Sequence, residues 1–134
     1  MLPPGQTKSE SWHHPKEKGN FAASAHLSIS NEGKGVIGVF AQMLTYYPID
    51  KCRMRIYLDR WYEEQQDWVM QDYWDITLSQ ENQESGELTT PTISFDIKNQ
   101  PTGYYYRLRG MHVAWLNGVS EGFTTQTDGI LITE

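Results

Sequence analysis

The sequence predicts an all-β chain, an antiparallel sandwich of about seven strands, and three observations carry that prediction. Through the middle and late chain, apolar and polar residues change places at every position, the period of a strand with one dry face. Turn-forming clusters such as Asn31-Glu32-Gly33-Lys34-Gly35 and Asn117-Gly118 separate these stretches at hairpin spacing. No segment holds a convincing helical period, and no internal repeat is visible.

Residues 1–19 carry Pro, Lys, Glu, Ser and a His-His-Pro step without periodicity and read as a flexible N-terminal leader. Residues 20–134 read as one β-sandwich domain. Its first strand is signalled by Phe21, Ala23, Ala25, Leu27 and Ile29 alternating with Ala22, Ser24, His26, Ser28 and Ser30. Val36 to Tyr46 has bulky groups on both parities, so it is a strand covered on both sides or a short helix; the β-branched residues and Gly38 favour the strand. The clearest segment follows, with Cys52, Met54, Ile56 and Leu58 pointing one way and Arg53, Arg55, Tyr57, Asp59 and Trp61 the other.

Glu63 to Asp67 makes a polar hairpin connection, and the chain returns from Trp68 to Leu78 with Trp74, Ile76 and Leu78 inward. Asp72 breaks the inward register, which predicts a bulge or a late strand start there. Pro91 places the next strand, with Ile93, Phe95 and Ile97 inward, at a sheet edge. Tyr104, Tyr106, Leu108 and Gly110 then alternate with Tyr105, Arg107, Arg109 and Met111. Asn117-Gly118 turns the chain into a last strand from about Val119 to Thr127, kinked by Asp128-Gly129 before Ile130, Leu131 and Ile132.

The bulk properties narrow the function. A chain of 134 residues with 11 Lys and Arg against 17 Asp and Glu has a formal net charge of −6, a field that repels phosphate backbones and anionic lipid surfaces. Nucleic-acid binding is therefore not expected, nor is membrane insertion, because no apolar run approaches the ~20 residues of a span. One cysteine, Cys52, excludes an internal disulfide framework and reads as a small buried hydrophobe. The abrupt polar start suggests a chain that begins after a removed leader, and the Tyr, Trp, Thr, Ser and Asn content suggests an extracellular or cell-surface setting.

Several patterns invite chemistry. Gly33-Lys34-Gly35-Val36-Ile37-Gly38 has the letters of a dinucleotide fingerprint, but that site needs a helix to begin at the glycines within a βαβ unit, and β-branched residues follow instead, so it reads as a hairpin turn. His13, His14, His26 and His112 are not brought together by any spacing and read as solvated or edge histidines. The acidic series Asp59, Glu63, Glu64, Asp67, Asp72 and Asp75 could hold a carboxylate pair or calcium, yet without a calcium-loop motif it reads as a solvated hairpin. No serine sits in a nucleophile elbow. No catalytic residue, metal ligand or cofactor is expected.

The stretch from Ile93 to Thr124 resembles the last third of a fibronectin type III domain, an immunoglobulin-like sandwich. The matching residues are Ile93, Phe95 and Ile97, the corner Pro101, Tyr104, the run Tyr106-Arg107-Leu108-Arg109-Gly110, Asn117-Gly118 and Ser120-Glu121. The resemblance implies that Tyr104 is the corner tyrosine whose hydroxyl bonds back to the upstream backbone. The ending from Thr127 to Thr133 is similar to that of small uncharacterised secreted domains of Gram-positive bacteria, a likeness that brings no activity with it.

In such a sandwich the third and sixth strands are neighbours, which would set Arg53, Arg55, Tyr57 and Trp61 beside Tyr105, Arg107, Arg109 and Met111 on an outward face. These are the residue types enriched at binding hot spots. The same row could instead be a self-satisfied ladder, with guanidinium groups stacked on rings and paired to Asp59 and Asp75. The expected function is a non-catalytic binding module that takes a protein partner on this face, with host surface proteins or immunoglobulins as candidates. The alternative is a carbohydrate-binding module that stacks sugars on Trp61, Trp68, Trp74 or Trp115. A flat, coplanar aromatic pair near the acidic hairpin would favour sugar, and a broad Arg and Tyr face without a groove would favour protein.

Overall fold

Two tight hairpins fix the register of the sandwich. Lys34 and Gly35 lie at φ 56° and 72°, and Asn117 and Gly118 at φ 52° and 80°. Both are two-residue turns in the left-handed region, whose twist matches that of the strands they join. Between and beyond them the computed structural model describes residues 1–17 and 19–134 as nine strands and one short 3₁₀ turn, Gln80–Asn82. The strands are β1 (Lys8–His13), β2 (Ala22–Gly33), β3 (Val36–Thr45), β4 (Lys51–Tyr62), β5 (Asp67–Ser79), β6 (Thr92–Ile97), β7 (Tyr104–Leu116), β8 (Val119–Gln126) and β9 (Ile130–Ile132).

They form two antiparallel sheets, β1-β2-β3-β6 and β5-β4-β7-β8, with β9 continuing along β7 beyond the end of β8. The protein is an all-β sandwich. Alternation does the sorting: Leu27 and Ile29 of β2, Ile37 and Met43 of β3, Met54, Ile56 and Leu58 of β4 and Leu108 of β7 all turn inward and are fully buried. Ile130 and Ile132 of β9 close the same core. Truncating any of these to alanine would cost about 2–5 kcal/mol through lost burial and the cavity left behind.

Three irregularities are visible in the ladders, one of them the step from Asn31 to Gly33 beside the first hairpin. The register of β4 against β5 slips between Leu58, opposite Asp72, and Asp59, opposite Met70, so Gln71 is the extra residue of a bulge where Asp72 predicts one. A second slip between Ala22 and Ser24 sets Ala23 aside, so Phe21 and Ala22 are both buried. Pro91 precedes β6, which is an edge strand.

The structure corrects the sequence reading at four points. Lys8–His13, read as part of a flexible leader, forms β1 and pairs with β2 from Lys8 opposite Ser30 to His13 opposite Ala25. Its inward residues are Ser9, Ser11 and His13, which bind the backbone at the free edge of the other sheet. The Ser9 hydroxyl accepts from the Asp128 N–H at 2.9 Å and the Ser11 hydroxyl from the Gln126 N–H at 3.1 Å, and His13 Nδ1 donates to the Thr124 carbonyl at 3.1 Å. Hydrogen bonding replaces apolar burial here, so the strand has no hydrophobic period. With β1 added and β9 separated by the Asp128-Gly129 kink, there are nine strands where about seven are expected.

The third correction concerns the corner. The hydroxyl that bonds back is that of Tyr106, which donates to the Pro101 carbonyl at 2.7 Å and is fully buried, while Tyr104 is exposed. Tyr104 lies on the same side of β7 but at its very start, beyond the core, with its ring against the Arg60 guanidinium at 4.6 Å. The fourth concerns two histidines read as solvated or at an edge. His26 does lie on an outward position but is buried beneath Trp12, and His112 is inside the sandwich.

Candidate functional site

The face singled out from sequence is the outer side of the five-stranded sheet. Strands β4 and β7 are neighbours, with Arg53 opposite Val113, Arg55 opposite Met111, Tyr57 opposite Arg109 and Asp59 opposite Arg107. On the other flank of β4, Tyr57 faces Tyr73, Arg55 faces Asp75 and Trp61 faces Trp68. Arg53, Arg55, Tyr57, Trp61, Arg107 and Arg109 are thus brought onto one surface. Tyr105 lies at the end of the β7 row, opposite Leu131 of β9, and joins none of the ion pairs or ring contacts of the others among the described residues.

Two carboxylates organise the guanidinium groups. Asp75 accepts from Arg53 Nε and Nη2 at 2.8 and 2.5 Å, and from Arg55 Nε and Nη2 at 3.2 and 2.8 Å. These charge-assisted bonds, those from Arg53 first, hold its carboxyl well below the usual carboxylate range. Asp59 is only 2% exposed and accepts from Arg107 Nε at 2.8 Å and from Arg109 Nε and Nη2 at 2.8 and 3.1 Å. One carboxylate between two arginines leaves each cluster with a net positive charge.

The rings complete the ladder. The Arg109 guanidinium lies 4.6 Å from the Tyr57 ring centre, Arg55 lies 5.0 Å from Tyr73, and Arg107 lies 4.6 Å from Trp68, all within cation–π range. The Trp61 indole N–H donates to Glu63 at 2.7 Å, and its ring meets Trp68 edge-on at 64°. Tyr73 and Met70 remain about half exposed at the β5 side. The arrangement is therefore the self-paired ladder, with an aromatic and Met surface laid across it.

The remaining tryptophans are elsewhere. Trp74 packs on Phe95 between the sheets, and Trp115 lies under the Lys51 ammonium at 4.4 Å. Among the described residues no group of three or more His, Cys, Asp or Glu side chains is placed to hold a metal ion. Burial pushes the Cys52 thiol up to about 12 and the His112 imidazole down to about 4, so both are neutral at physiological pH. His112 Nε2 sits 2.8 Å from the Thr125 hydroxyl, an interior structural contact.

Sequence reasoning missed a second polar face, the outer side of the four-stranded sheet. There Lys8, Glu10 and Trp12 of β1 stand beside Ser28 and His26 of β2, with Gly38 and Phe40 of β3 and Ser94 and Asp96 of β6 beyond. The signal was present in the alternation of Lys8, Glu10 and Trp12 with Ser9, Ser11 and His13, a strand pattern with serine in place of apolar residues. A scan against protein-family models finds no match for this chain, and neither does a search of the curated proteins.

Proposed function

We propose that this chain is a non-catalytic binding module, working outside the cell or at its surface, that takes a protein partner on the outer face of β5-β4-β7-β8. The observation that carries the reading is the pinning of four guanidinium groups by Asp59 and Asp75, three of which lie against the rings of Tyr57, Tyr73 and Trp68. Binding then freezes few rotamers, and ordering costs of about 0.5–1.5 kcal/mol per side chain are largely avoided. Arg, Tyr and Trp are the residues on which interface energy concentrates. The Arg, Tyr and Trp side chains extend along three neighbouring strands, β5, β4 and β7, a spread that suits another protein surface.

The finer fold assignment supports the same setting. Counting β2 to β8 as seven strands, the third and sixth are β4 and β7, which pair as an immunoglobulin-like arrangement requires. The Tyr106 hydroxyl on the Pro101 carbonyl is the back-bond of a tyrosine corner. We read the domain as fibronectin-type-III-like on these two grounds. Sugar binding on Trp61, Trp68, Trp74 or Trp115 is the weaker reading, because none of these forms a flat coplanar pair.

The test is capture from serum and from host-cell surface extracts, and of purified immunoglobulin G, on immobilised wild type, Tyr57→Ala/Arg107→Ala and Tyr57→Ala/Tyr73→Ala. A partner retained by wild type should be lost at least tenfold by both variants while their circular dichroism is unchanged. Equal capture by all three proteins would end the assignment of this face.

A further inference from the structure

We propose that the open edge of β5 pairs antiparallel with the same edge of a second copy of this chain, centred on Ile76, which joins the two β5-β4-β7-β8 sheets into one. The inference stands apart from the partner-binding reading of the outer face.

A strand edge presents a row of unpaired N–H and C=O groups, and proteins blunt it with shortness, proline, charge or cover. Among the described residues, three of the four sheet edges here are managed in that way. β1 and β6 have six residues each, β1 carrying Lys8 and Glu10 and β6 following directly on Pro91. The β8 edge is covered by β1 side chains, with Ser11 on the Gln126 N–H and His13 on the Thr124 carbonyl. By contrast β5 runs for 13 residues with a strand neighbour, β4, on one side only.

The backbone shows which part of that edge is open. The Gln80 N–H donates to the Asp50 carbonyl at 2.9 Å. From that bond the alternation of an antiparallel ladder turns the N–H and C=O groups of Trp74, Ile76 and Leu78 toward β4, and those of Tyr73, Asp75, Thr77 and Ser79 away from it. Side chains already answer the two ends. The Tyr73 N–H donates to the Asp72 carboxylate at 2.7 Å, and the Ser79 carbonyl accepts from Gln83 Nε2 at 3.3 Å. Nearer the start of β5, the Gln71 bulge interrupts the edge and Asp67 takes the Trp68 N–H at 2.9 Å. Among the described residues, nothing bonds the outward N–H and C=O groups of Asp75 and Thr77.

A second β5 answers those groups in one register. With Ile76 opposite Ile76 of the second copy, Asp75 of each chain faces Thr77 of the other, and every such pair exchanges both of its backbone bonds. Trp74 then meets Leu78, so the inward apolar residues, partly exposed at the rim where Trp74 packs on Phe95, cover one another. Centring on Asp75 instead sets Thr77 against Tyr73, whose N–H is taken, and Leu78 against Asp72. It also brings the two net-positive clusters of Arg53, Arg55 and Asp75 face to face. Centring on Thr77 sets Asp75 against Ser79, whose carbonyl is bonded, and Trp74 against Gln80. Hydrogen bonds, apolar cover and charge therefore agree on one self-complementary alignment, which is what a two-fold interface demands of a single patch.

The experiment is sedimentation velocity of the full chain from about 10 µM to about 1 mM, with amide hydrogen exchange at both ends of that range. The sedimentation coefficient should rise toward that of a dimer, and the Asp75 and Thr77 amides should become protected as it does. Thr77→Pro removes an N–H that faces away from β4, so the fold is kept while association weakens at least tenfold. Ile76→Cys lies at the two-fold centre, where opposed Cα atoms are about 4.5 Å apart, and should give a covalent dimer with oxidised glutathione. Val119→Cys, on the far edge, should not. Should Thr77→Pro unfold, the Ile76→Cys cross-link decides. Tyr57→Ala/Arg107→Ala should associate as the unaltered chain does, so failure of the outer-face assignment and failure of this one are read separately. A monomer at every concentration with fast-exchanging Asp75 and Thr77 amides would overturn the proposal. So would a dimer that a folded Thr77→Pro leaves intact, or one that Val119→Cys captures in place of Ile76→Cys.

Discussion

The two outer faces of this sandwich solve opposite problems with similar strand geometry. On the five-stranded sheet, long charged side chains meet their partners within the face, and Asp59 and Asp75 take up the hydrogen bonds of four arginines. What remains for a partner is ring and thioether surface. On the four-stranded sheet Ser28, Gly38 and Ser94 leave a depression, and among the described residues none bonds the Ser28 or Ser94 hydroxyl. The contrast teaches that polarity alone does not identify a site. Whether the polar groups have already been satisfied decides what kind of ligand the surface can still take.

The largest effect that would sharpen this contrast comes from removing Asp59. It is buried between two guanidinium groups, so Asp59→Ala leaves like charges side by side in a partly desolvated place. We expect a loss of about 3 kcal/mol in urea unfolding, the low end for breaking a buried pair, because both arginines still reach solvent. Ser94→Ala on the opposite face should stay within about 0.5 kcal/mol, as substitutions away from satisfied networks do. Equal effects for the two would erase the distinction drawn between the faces.

Acidification acts on the core that both faces share. His112 is neutral when folded and titrates near 4, against 6.5 for the unbound ring. The unfolded chain therefore takes up a proton first as pH falls. Stability from this group is complete above about pH 6.5, declines through the interval down to about 4, and levels off below. The span corresponds to about 3 kcal/mol. Urea midpoints measured at half-unit steps from pH 7 to 4 should show that decline, and His112→Asn should flatten it.

Smaller effects test the joints between elements. Tyr106→Phe removes the hydroxyl on the Pro101 carbonyl, and we expect about 1 kcal/mol of lost stability, since that carbonyl is exposed enough to be rehydrated. Tyr104→Phe, at the exposed neighbour, should change nothing measurable. Smallest of all is the effect expected at Cys52, which lies on the inner side of the Arg53 and Arg55 strand. The native thiol should resist iodoacetamide at pH 8 and react only after unfolding.

The sequence made the β4 to β9 half of the molecule legible because its inward residues are large and apolar. Cys52, Met54, Ile56 and Leu58 leave one solution for the register, and the Asp72 irregularity even locates the bulge. The neighbouring Arg rows followed from the sandwich, since β4 and β7 pair side by side. Their two readings, platform and ladder, share one geometry, and only the distances to Asp59 and Asp75 show how far the charges are already satisfied. By contrast β1 was invisible, because Ser9, Ser11 and His13 hold it by hydrogen bonds to Asp128, Gln126 and Thr124, contacts more than a hundred positions away. With β1 unread, Trp12 and Glu10 could not be placed over His26, and the groove they border stayed hidden.

The most direct measurement of the central claim, that the guanidinium groups are locked by two carboxylates, is side-chain NMR of the arginine Nε–H groups. Arg53, Arg55, Arg107 and Arg109 should give separate, slowly exchanging Hε signals. Those of Arg53 and Arg55 should collapse in Asp75→Asn, and those of Arg107 and Arg109 in Asp59→Asn. A single averaged resonance at the position of free arginine in the unaltered protein would contradict the account.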